Sequence, residues 1–441
     1  MSDPFSDLAS LAETKPPVTR RCGAVAAASG ATVEVTGLAQ RARLGDPVHV
    51  GPALDEAGVA GEIVALSADR ATAMIAGGED GIALGDRVWL APHPALAPDE
   101  AWLGRVVDAQ GAPLDGAPLP AGDTPSSPHA APHAAITRAG LGKRLDTGLA
   151  ALDALLPIAR GQRIGLFAGS GVGKSRLLAQ LARRTEADVV VFALIGERGR
   201  ELNDFIRNGL GEEGFRRSVV VAATSDESPL TRRRAAWTAT AIAESFRDQG
   251  RHVLLIFDSL TRFAEAHREI ALTAGETPSL RAYPPSTSSM IARLTERAGP
   301  GPADQAGAIT AIYSVLVAGS DMEEPIADIT RGLLDGHIVL DRAIAERGRF
   351  PAIDVPRSVS RSLPDAASEA ENALIAQTRR LLALYEDAAP MVRTGLYQPG
   401  ADAETDRAVA LFADLDRFCA ETSASCADAF ERLRAILDKA T

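Results

Sequence analysis

The chain has 441 residues, a formal net charge of −12 and a pI of about 5.2. This length predicts two or three domains at roughly 100–200 residues each, and a content of 46% hydrophobic and 24% charged residues is typical of a water-soluble globular protein. The acidic balance argues against a broad nucleic-acid-binding face, which is usually basic.

Residues 1–20 are polar and contain Pro16 and Pro17. Leu8 and Leu11 lie at helical spacing, so this segment is either a short amphipathic helix or a flexible tail. It lacks the basic and apolar regions of a signal peptide, and no apolar run of the sequence reaches the ~18–20 residues that a membrane span needs. We therefore expect a soluble protein whose contact with a membrane is only peripheral.

The cysteines are Cys22, Cys419 and Cys426. Their number is odd and their spacing suits no metal site. We expect them to be reduced thiols in the cytosol.

Residues 21–95 predict a small N-terminal β-barrel. Short Val- and Ala-rich runs are separated there by Gly and Asp, without helical periodicity, which indicates short strands joined by frequent turns. The predicted strands are Ala31–Val35, Val48–Val50, Ala60–Leu66, Ala71–Ile75 and Arg87–Leu90.

Residues 96–365 predict an α/β domain. Leu103–Asp108 reads as a strand and turn, and the Pro-, Gly- and Ala-rich segment 110–140 reads as a linker. Beyond residue 145, strands alternate with helices, which predicts a mostly parallel sheet covered on both faces. The predicted strands are Ile164–Phe167, Val189–Ile195, Ser218–Thr224, Val253–Asp258 and Ala308–Val317, and the predicted helices are Lys174–Arg184 and Leu230–Gln249.

Residues 366–441 predict a C-terminal helical domain. Helical periodicity extends over Ala366–Tyr385, Ala403–Cys419 and Thr422–Asp438.

Residues 168–175 read Ala-Gly-Ser-Gly-Val-Gly-Lys-Ser between a predicted strand and a predicted helix, which is the P-loop pattern, with Ala168 at a position where glycine is usual. The glycines allow a tight turn that points N–H groups at phosphates. Lys174 can reach the β- and γ-phosphates of ATP, and the hydroxyl of Ser175 can bind Mg²⁺. The predicted nucleotide-binding residues here are Gly169, Ser170, Gly171, Val172, Gly173, Lys174, Ser175 and Arg176.

Two carboxylates follow predicted strands. Asp258 ends an apolar strand, where P-loop enzymes place an aspartate that holds Mg²⁺, although an aspartate there can also simply cap the next helix. Glu197 follows another strand at the sheet edge where ligands bind, and a carboxylate there can polarise the attacking water. The alternative for Glu197 is a surface ion pair with Arg198 or Arg200.

Many short segments, dense between about residues 100 and 365, together resemble the type III secretion ATPases, relatives of the catalytic heads of rotary ATP synthases. The segments that carry this resemblance are Leu145–Gly148, Gly161–Ile164, Ala168–Ser175, Gly196–Glu201, Asp258–Phe263, Arg268–Ile270, Tyr283–Pro285, Tyr313–Val317, Glu324–Asp328, Asp335–Leu340, Glu346–Gly348, Pro351–Asp354, Ser358–Arg361 and, more weakly, Gly395–Gln398.

The resemblance implies roles for single residues. Glu197 corresponds to the residue that activates water, and Arg361, which by itself reads as an ordinary surface arginine, corresponds to one that reaches into the neighbouring subunit's site. Arg198 corresponds to a residue beside the γ-phosphate. Phe350 corresponds to an aromatic that packs on adenine, and Tyr397 is expected to form a second wall.

The resemblance also implies an assembly and a function. It implies a homohexameric ring that hydrolyses ATP to energise type III protein export, of flagellar components in the nearest members and of virulence proteins in the near neighbours. The implied partners are a dimeric regulator at the N-terminal tail, an export-gate membrane protein, export chaperones and their substrates. The implied location is the cytoplasm, peripheral to the inner membrane at the export apparatus.

Three further alternatives stay open. A ring RNA helicase predicts an N-terminal barrel with stacking aromatics and a basic groove, whereas residues 21–95 contain a single aromatic, Trp89. A non-catalytic ring subunit predicts a non-acidic residue at position 197, and a rotary-pump subunit predicts a partner chain in the same ring. The sequence departs from the family's pattern over Val317–Asp321 and Ser286–Met290, which concerns pore or interface loops rather than proposed catalytic groups.

Overall fold

The computed structural model describes residues 21–53, 58–77, 81–93, 96–279, 282–317 and 321–440. The N-terminal tail expected over residues 1–20 lies outside the described residues, as do residues 318–320 of the divergent loop. The described residues form two compact units, one within Met1–Pro94 together with Ile270–Glu276, and one within Ala95–Glu269 together with Thr277–Thr441.

An antiparallel barrel forms the core of the first unit. Its strands follow the closed order β1-β2-β5-β4-β3-β6 and bury small aliphatic side chains such as Val33, Val35 and Ile63. The sequence does not predict β1, because Ala and Gly have low strand propensity; pairing with β2 and β6 on either side defines this strand. The strands are β1 (Cys22–Ser29), β2 (Thr32–Thr36), β3 (Pro47–Val50), β4 (Val59–Leu66), β5 (Arg70–Ile75) and β6 (Arg87–Leu90).

A nine-stranded sheet organises the second unit, with the order β15-β14-β8-β13-β11-β9-β10-β7 and β12 paired to β13. All neighbours on the main path are parallel except β14 and β15. The strands are β7 (Arg105–Val107), β8 (Arg163–Ala168), β9 (Val189–Glu197), β10 (Ser218–Thr224), β11 (His252–Asp258), β12 (Gly299–Pro300), β13 (Ala308–Leu316), β14 (Gly336–Leu340) and β15 (Ile353–Ser360).

Helices cover both faces of this sheet. Successive side chains of β9 point to opposite faces, so Val190 and Phe192 join one buried cluster while Val189 and Val191 join the other. Because both faces are buried, the central strands are continuous apolar runs. The helices are α1 (Lys174–Arg184), α2 (Gly199–Asp204), α3 (Gly211–Arg216), α4 (Pro229–Asp248), α5 (Leu260–Thr273), α6 (Ser286–Thr295), α7 (Pro325–Leu333) and α8 (Arg342–Glu346).

Three C-terminal helices belong to the second unit and share its buried core: α9 (Glu369–Thr394), α10 (Ala403–Phe418) and α11 (Cys426–Leu437). The first differs in its bounds from the helix predicted over Ala366–Tyr385. It begins after Ser368, because Ser368 and Glu371 form a capping box, and it continues through Pro390 until Gly395 adopts φ 71°.

The mostly parallel P-loop α/β core, the N-terminal barrel and the C-terminal helices confirm the predicted fold class. Among the described residues, no helix combines the length and apolar character that crossing a lipid bilayer requires.

Candidate active site

The Gly loop connects the end of β8 to the start of α1. Gly171 and Gly173 have φ values of 78° and 88°, in the left-handed region that favours glycine. A Cβ atom at Gly173 would also lie 3.1 Å from the Phe350 ring, so a side chain there would press on that ring. Val172 in the loop is buried, whereas Ser170 in the loop and Ser175 and Arg176 at the start of α1 are exposed.

Lys174 lies between two carboxylates. Its Nζ atom donates to Oδ1 of Asp258 and lies 3.6 Å from Oε1 of Glu197. The two carboxylates meet because β9 and β11 are parallel neighbours whose carboxyl ends share one edge of the sheet. The hydroxyl of Ser314 donates to the same Asp258 oxygen at 2.6 Å, so the buried aspartate is held from two sides.

The carboxyl group of Glu197 is easier to protonate in this site than it would be in water. Partial burial, followed by the negative charge of Asp258, raises the pKa of Glu197, and the ammonium of Lys174 opposes this rise. The surface ion pair considered for Glu197 is not what the structure shows. Arg198 pairs instead with Glu201 at 3.6 Å, and its side chain is 81% exposed.

Two open clefts of about 820 and 800 Å³ flank this centre. The first runs along the Gly loop and is also lined by Arg262, Glu265 and Thr261. The second runs along α1 and the segment after Glu197. Ser175, Arg176, Glu197, Arg198 and Glu201 line both clefts, so the reactive groups lie where the two clefts meet.

The donor set suits magnesium bound together with a nucleotide. The hydroxyl of Ser175 and the carboxylate of Asp258 are oxygen donors, as Mg²⁺ prefers, and Mg²⁺ in such sites usually completes its shell with phosphate oxygens and water. In the part of the chain that the structure describes, no group of three or more His, Cys, Asp or Glu side chains could hold a metal by itself. Nucleotide phosphates would therefore be part of the magnesium site.

The structure brings Phe350 to the Gly loop, where its ring lies against Gly173 and is 39% exposed. The described contacts of Tyr397 are elsewhere. Its hydroxyl donates to Asp406 near the start of α10, and this bond raises the pKa of Tyr397 to about 12. The adenine-wall role of Tyr397 stays a prediction.

Arg361 lies near the amino-terminal ends of the parallel strands, whereas the Gly loop of the same chain lies at their carboxyl ends. It follows β15, which runs antiparallel to β14, and Ser360 pairs with Gly336 at the start of β14. The next β14 residue, His337, pairs with Gly165 of β8. Ser360 is thus about four residues, or ~13 Å along the strand, below the end of β8. Arg361 is exposed and donates to the Arg331 carbonyl at 3.4 Å.

Sequence reasoning misses two residues of this centre. Ser314 is a buried serine inside an apolar strand, and such a buried polar group needs a hydrogen-bond partner; that is the signal that would have found it. Arg262 lines the Gly-loop cleft, with its stem 3.0 Å from where a Cβ of Gly196 would lie. An arginine on a helix carries no comparable signal.

Comparison with known proteins places the chain in a family. Residues 148–360 match the ATP synthase alpha/beta family, nucleotide-binding domain, and residues 367–436 match the T3SS EscN ATPase C-terminal domain. The flagellum-specific ATP synthase of Caulobacter vibrioides is 45% identical over 424 residues, which cover 94% of this chain and 95% of that protein. The flagellum-specific ATP synthase of Salmonella typhimurium is 44% identical over 95% of this chain and 94% of its own length.

Virulence relatives match as well. The SPI-2 type 3 secretion system ATPase of Salmonella typhimurium is 50% identical over 72% of this chain and 73% of its own. The structure of the assembled ATPase EscN from enteropathogenic E. coli superimposes with a TM-score of 0.87 at 36% identity, covering 94% of this chain and all of that one.

Fold, Gly loop and family matches together define a P-loop ATPase with the nucleotide-binding domain of the ATP synthase α/β family. The match of the C-terminal region to the EscN domain and the near full-length relatives narrow this class. The chain belongs to the type III secretion ATPases.

Proposed function

We propose that this ATPase uses Mg²⁺ and ATP to energise type III export of flagellar components, by unfolding or releasing substrate–chaperone complexes at the export gate. The observation that carries the proposal is the convergence of Lys174, Glu197 and Asp258 beside the Gly loop. The flagellar assignment is supported by relatives 44–45% identical over 94–95% of the chain, against 36% for EscN over a similar share.

The chain's own residues would act on the γ-phosphate and on the attacking water. Amides of the Gly loop and the Lys174 ammonium would bind phosphate oxygens. Glu197 would orient the water and accept its proton, with Arg198 beside the γ-phosphate. Ser175 and Asp258 would hold Mg²⁺, which neutralises phosphate charge when bound. Phe350 would pack on adenine, and Tyr397 would form the second wall.

Arg361 would complete the site of a neighbouring copy. Arg361 lies near the amino-terminal ends of the parallel strands and the Gly loop lies at their carboxyl ends, so Arg361 is kept from the Gly loop of its own chain. It can stabilise the charge of a transferred phosphoryl group only in the site of a second chain. Repeating such a head-to-tail contact by rotation closes a ring, and we propose a homohexamer. The solved structure of the assembled ATPase EscN supports an oligomer, and the number six is implied by the family resemblance.

The partners and the location follow from the same family. One EscN structure contains its central stalk EscO, which supports a stalk partner for this chain. We further propose a dimeric regulator at the N-terminal tail, export chaperones and substrates, an export-gate membrane protein, and no nucleic acid. The protein would act in the cytoplasm, peripheral to the inner membrane at the export apparatus.

Export of virulence proteins is the second candidate, favoured by the 50% identity to the SPI-2 ATPase over 72% of this chain. One experiment separates the two. The host bacterium would carry Lys174→Ala in place of the wild-type chain, and flagellar filaments and secreted virulence proteins would both be measured. Loss of filaments alone supports the flagellar role, loss of virulence secretion alone supports the second candidate, and retention of both contradicts the export function.

Catalysis itself is tested with purified protein. The wild-type chain should release phosphate from ATP only when Mg²⁺ is present, and Lys174→Ala should abolish release. Gln180→Ala is a control on the same helix, because Gln180 lines neither of the two clefts.

A further inference from the structure

Arg349, the residue before Phe350, is fixed by three contacts. Its Nη1 atom donates to the Pro351 carbonyl at 3.0 Å and its Nη2 atom to the Ile353 carbonyl at 2.8 Å. Its Nε atom lies 2.9 Å from Oδ1 of Asp416 in α10, an ion pair without the angle of a hydrogen bond, and its side chain is only 9% exposed. A single guanidinium thus ties the backbone on the far side of Phe350 to a C-terminal helix.

Phe350 itself has no comparable support. Its ring is 39% exposed and lies on Gly173, a residue without a side chain. Because 39% of Phe350 is exposed, packing restricts its ring less than it would a fully buried ring, so the conformation of its backbone also decides where the ring lies. The backbone from Pro351 to Ile353 is the part that Arg349 holds.

Asp416 lies near the carboxyl end of α10, and the segment after this helix is hydrogen-bonded to the P-loop core. After α10, Ser423 donates through its hydroxyl to the buried carboxylate of Asp153, and the Cys426 N–H donates to Asp146 at 2.7 Å. Asp153 is fully buried and also accepts from Thr147 at 2.7 Å. The carboxyl end of α10 is therefore tied to the P-loop core, and Asp416 is a stable partner for Arg349.

We infer that Arg349, held by Asp416, is a positioning residue that keeps Phe350 against the Gly loop, so that base affinity depends on the packing of α10. This inference rests on the proposed adenine contact of Phe350. It assigns a nucleotide-site role to two residues that line neither cleft of the candidate active site.

The test compares Asp416→Asn and Arg349→Lys with wild type. For Asp416→Asn, the Kd for ADP should rise about fivefold, the factor that ~1 kcal/mol of weakened base stacking represents. Inhibition of hydrolysis by inorganic tripolyphosphate, which has no base, should not change, and neither should kcat. Arg349→Lys keeps a positive charge near Asp416 but loses the fork that reaches two carbonyls, so its Kd for ADP should rise by at least as much as that of Asp416→Asn.

Asp414→Asn is the matched control. Asp414 lies on the same helix and pairs with Arg417 and Lys439 at the surface, away from Phe350. It should leave ADP and tripolyphosphate binding unchanged. An equal loss of affinity for both ligands in Asp416→Asn, or an unchanged ADP Kd, would overturn the inference. A merely structural role would lower kcat or the melting temperature without a base-dependent split.

Two further variants separate this inference from the proposed function. If Phe350→Ala leaves the ADP Kd unchanged, the adenine contact is wrong and the inference fails with it. If Phe350→Ala weakens ADP while Asp416→Asn does not, only the positioning role fails. If Lys174→Ala still hydrolyses ATP, the proposed catalytic function fails regardless of how Arg349 behaves.

Discussion

Lys174, the first residue of α1, has its Nζ atom 3.6 Å from Oε1 of Glu197, the last residue of β9. The ammonium also bonds Asp258, so one cation links the carboxyl ends of two strands to the Gly loop. A nucleotide that draws Lys174 toward its phosphates would leave Glu197 facing the reacting centre.

Replacing Glu197 with Gln tests the assignment of the general base. Gln keeps the shape and the hydrogen bonding but cannot accept the water's proton, so hydrolysis should fall by at least ~10²-fold while the ATP Kd stays within a small factor. Phosphate release and equilibrium nucleotide binding measure the two. Glu212→Gln, a surface change in α3 next to Arg216, should alter neither. Retained turnover in Glu197→Gln would refute the role.

Ser314→Ala tests how Asp258, the proposed Mg²⁺ ligand, is held. The hydroxyl donates to Asp258 at 2.6 Å, and groups that orient a ligand typically change metal affinity about 10- to 100-fold when they are removed. The Mg²⁺ concentration for half-maximal hydrolysis should rise by that factor, as measured by titration at saturating ATP. Ser358→Ala removes another fully buried strand serine of the same sheet and should leave the Mg²⁺ requirement unchanged. An unchanged requirement in Ser314→Ala would contradict the role.

The sequence predicts the fold well where local pattern decides it. The helix Lys174–Arg184 and the strand Ser218–Thr224 have the bounds that their sequences predict, because a strand–Gly-loop–helix unit and a run of buried valines each leave little choice. β1 and the carboxyl end of α9 are not predictable in this way. The first depends on closure of a barrel and the second on packing that tolerates Pro390.

The residues of the candidate site also differ in how far the sequence predicts them, for the same reason. Lys174, Glu197 and Asp258 follow strands or the Gly loop, so strand order alone brings them together. Ser314 bonds Asp258 and Asp416 pairs with Arg349, and both partners are far away in sequence. A serine inside an apolar strand signals that Ser314 needs a partner but not which one, and Asp416 carries no such signal, because both contacts depend on tertiary packing.

Because of the buried side chain of His252, we expect the folded protein to lose stability at acidic pH. It is buried at the start of β11 and shares a 2.8 Å hydrogen bond with Thr310. Burial, and to a smaller extent the positive charge of Arg160, lower the pKa of His252 to about 4. In the unfolded chain the pKa is about 6.5, so the unfolded state takes up the proton first as the pH falls. The stabilisation is present above pH ~6.5 and is lost as the pH falls toward ~4.

The measurement is the free energy of unfolding at pH 7 and pH 5 for wild type and His252→Gln. Gln preserves a hydrogen-bonding group for Thr310 but does not titrate. Between these pH values the wild type should lose about 2 kcal/mol more than the variant. His337→Gln serves as a comparison, since its ring is less buried and its pKa is also lowered by burial; it should remove a smaller part of the acid sensitivity. Equal losses in wild type and His252→Gln would contradict this source of the instability.

If Arg361 acts in the site of a neighbouring chain, mixing an Arg361 variant with a Glu197 variant should restore ATP hydrolysis. Arg361→Ala should abolish oligomer-dependent hydrolysis and leave nucleotide binding by the monomer intact, because the arginine lies at the far edge of its own sheet. Arg361→Ala and Glu197→Gln chains should each be inactive alone. When they co-assemble, some interfaces pair an intact Glu197 from one chain with an intact Arg361 from the next, so phosphate release should return. A role within one chain forbids this recovery, since no chain then carries both groups.

Mixing Arg342→Ala, a surface change in α8, with Glu197→Gln should give only the activity of the intact Arg342→Ala chains. Absence of recovery in confirmed mixed oligomers, or full activity of an isolated wild-type monomer, would exclude action in trans.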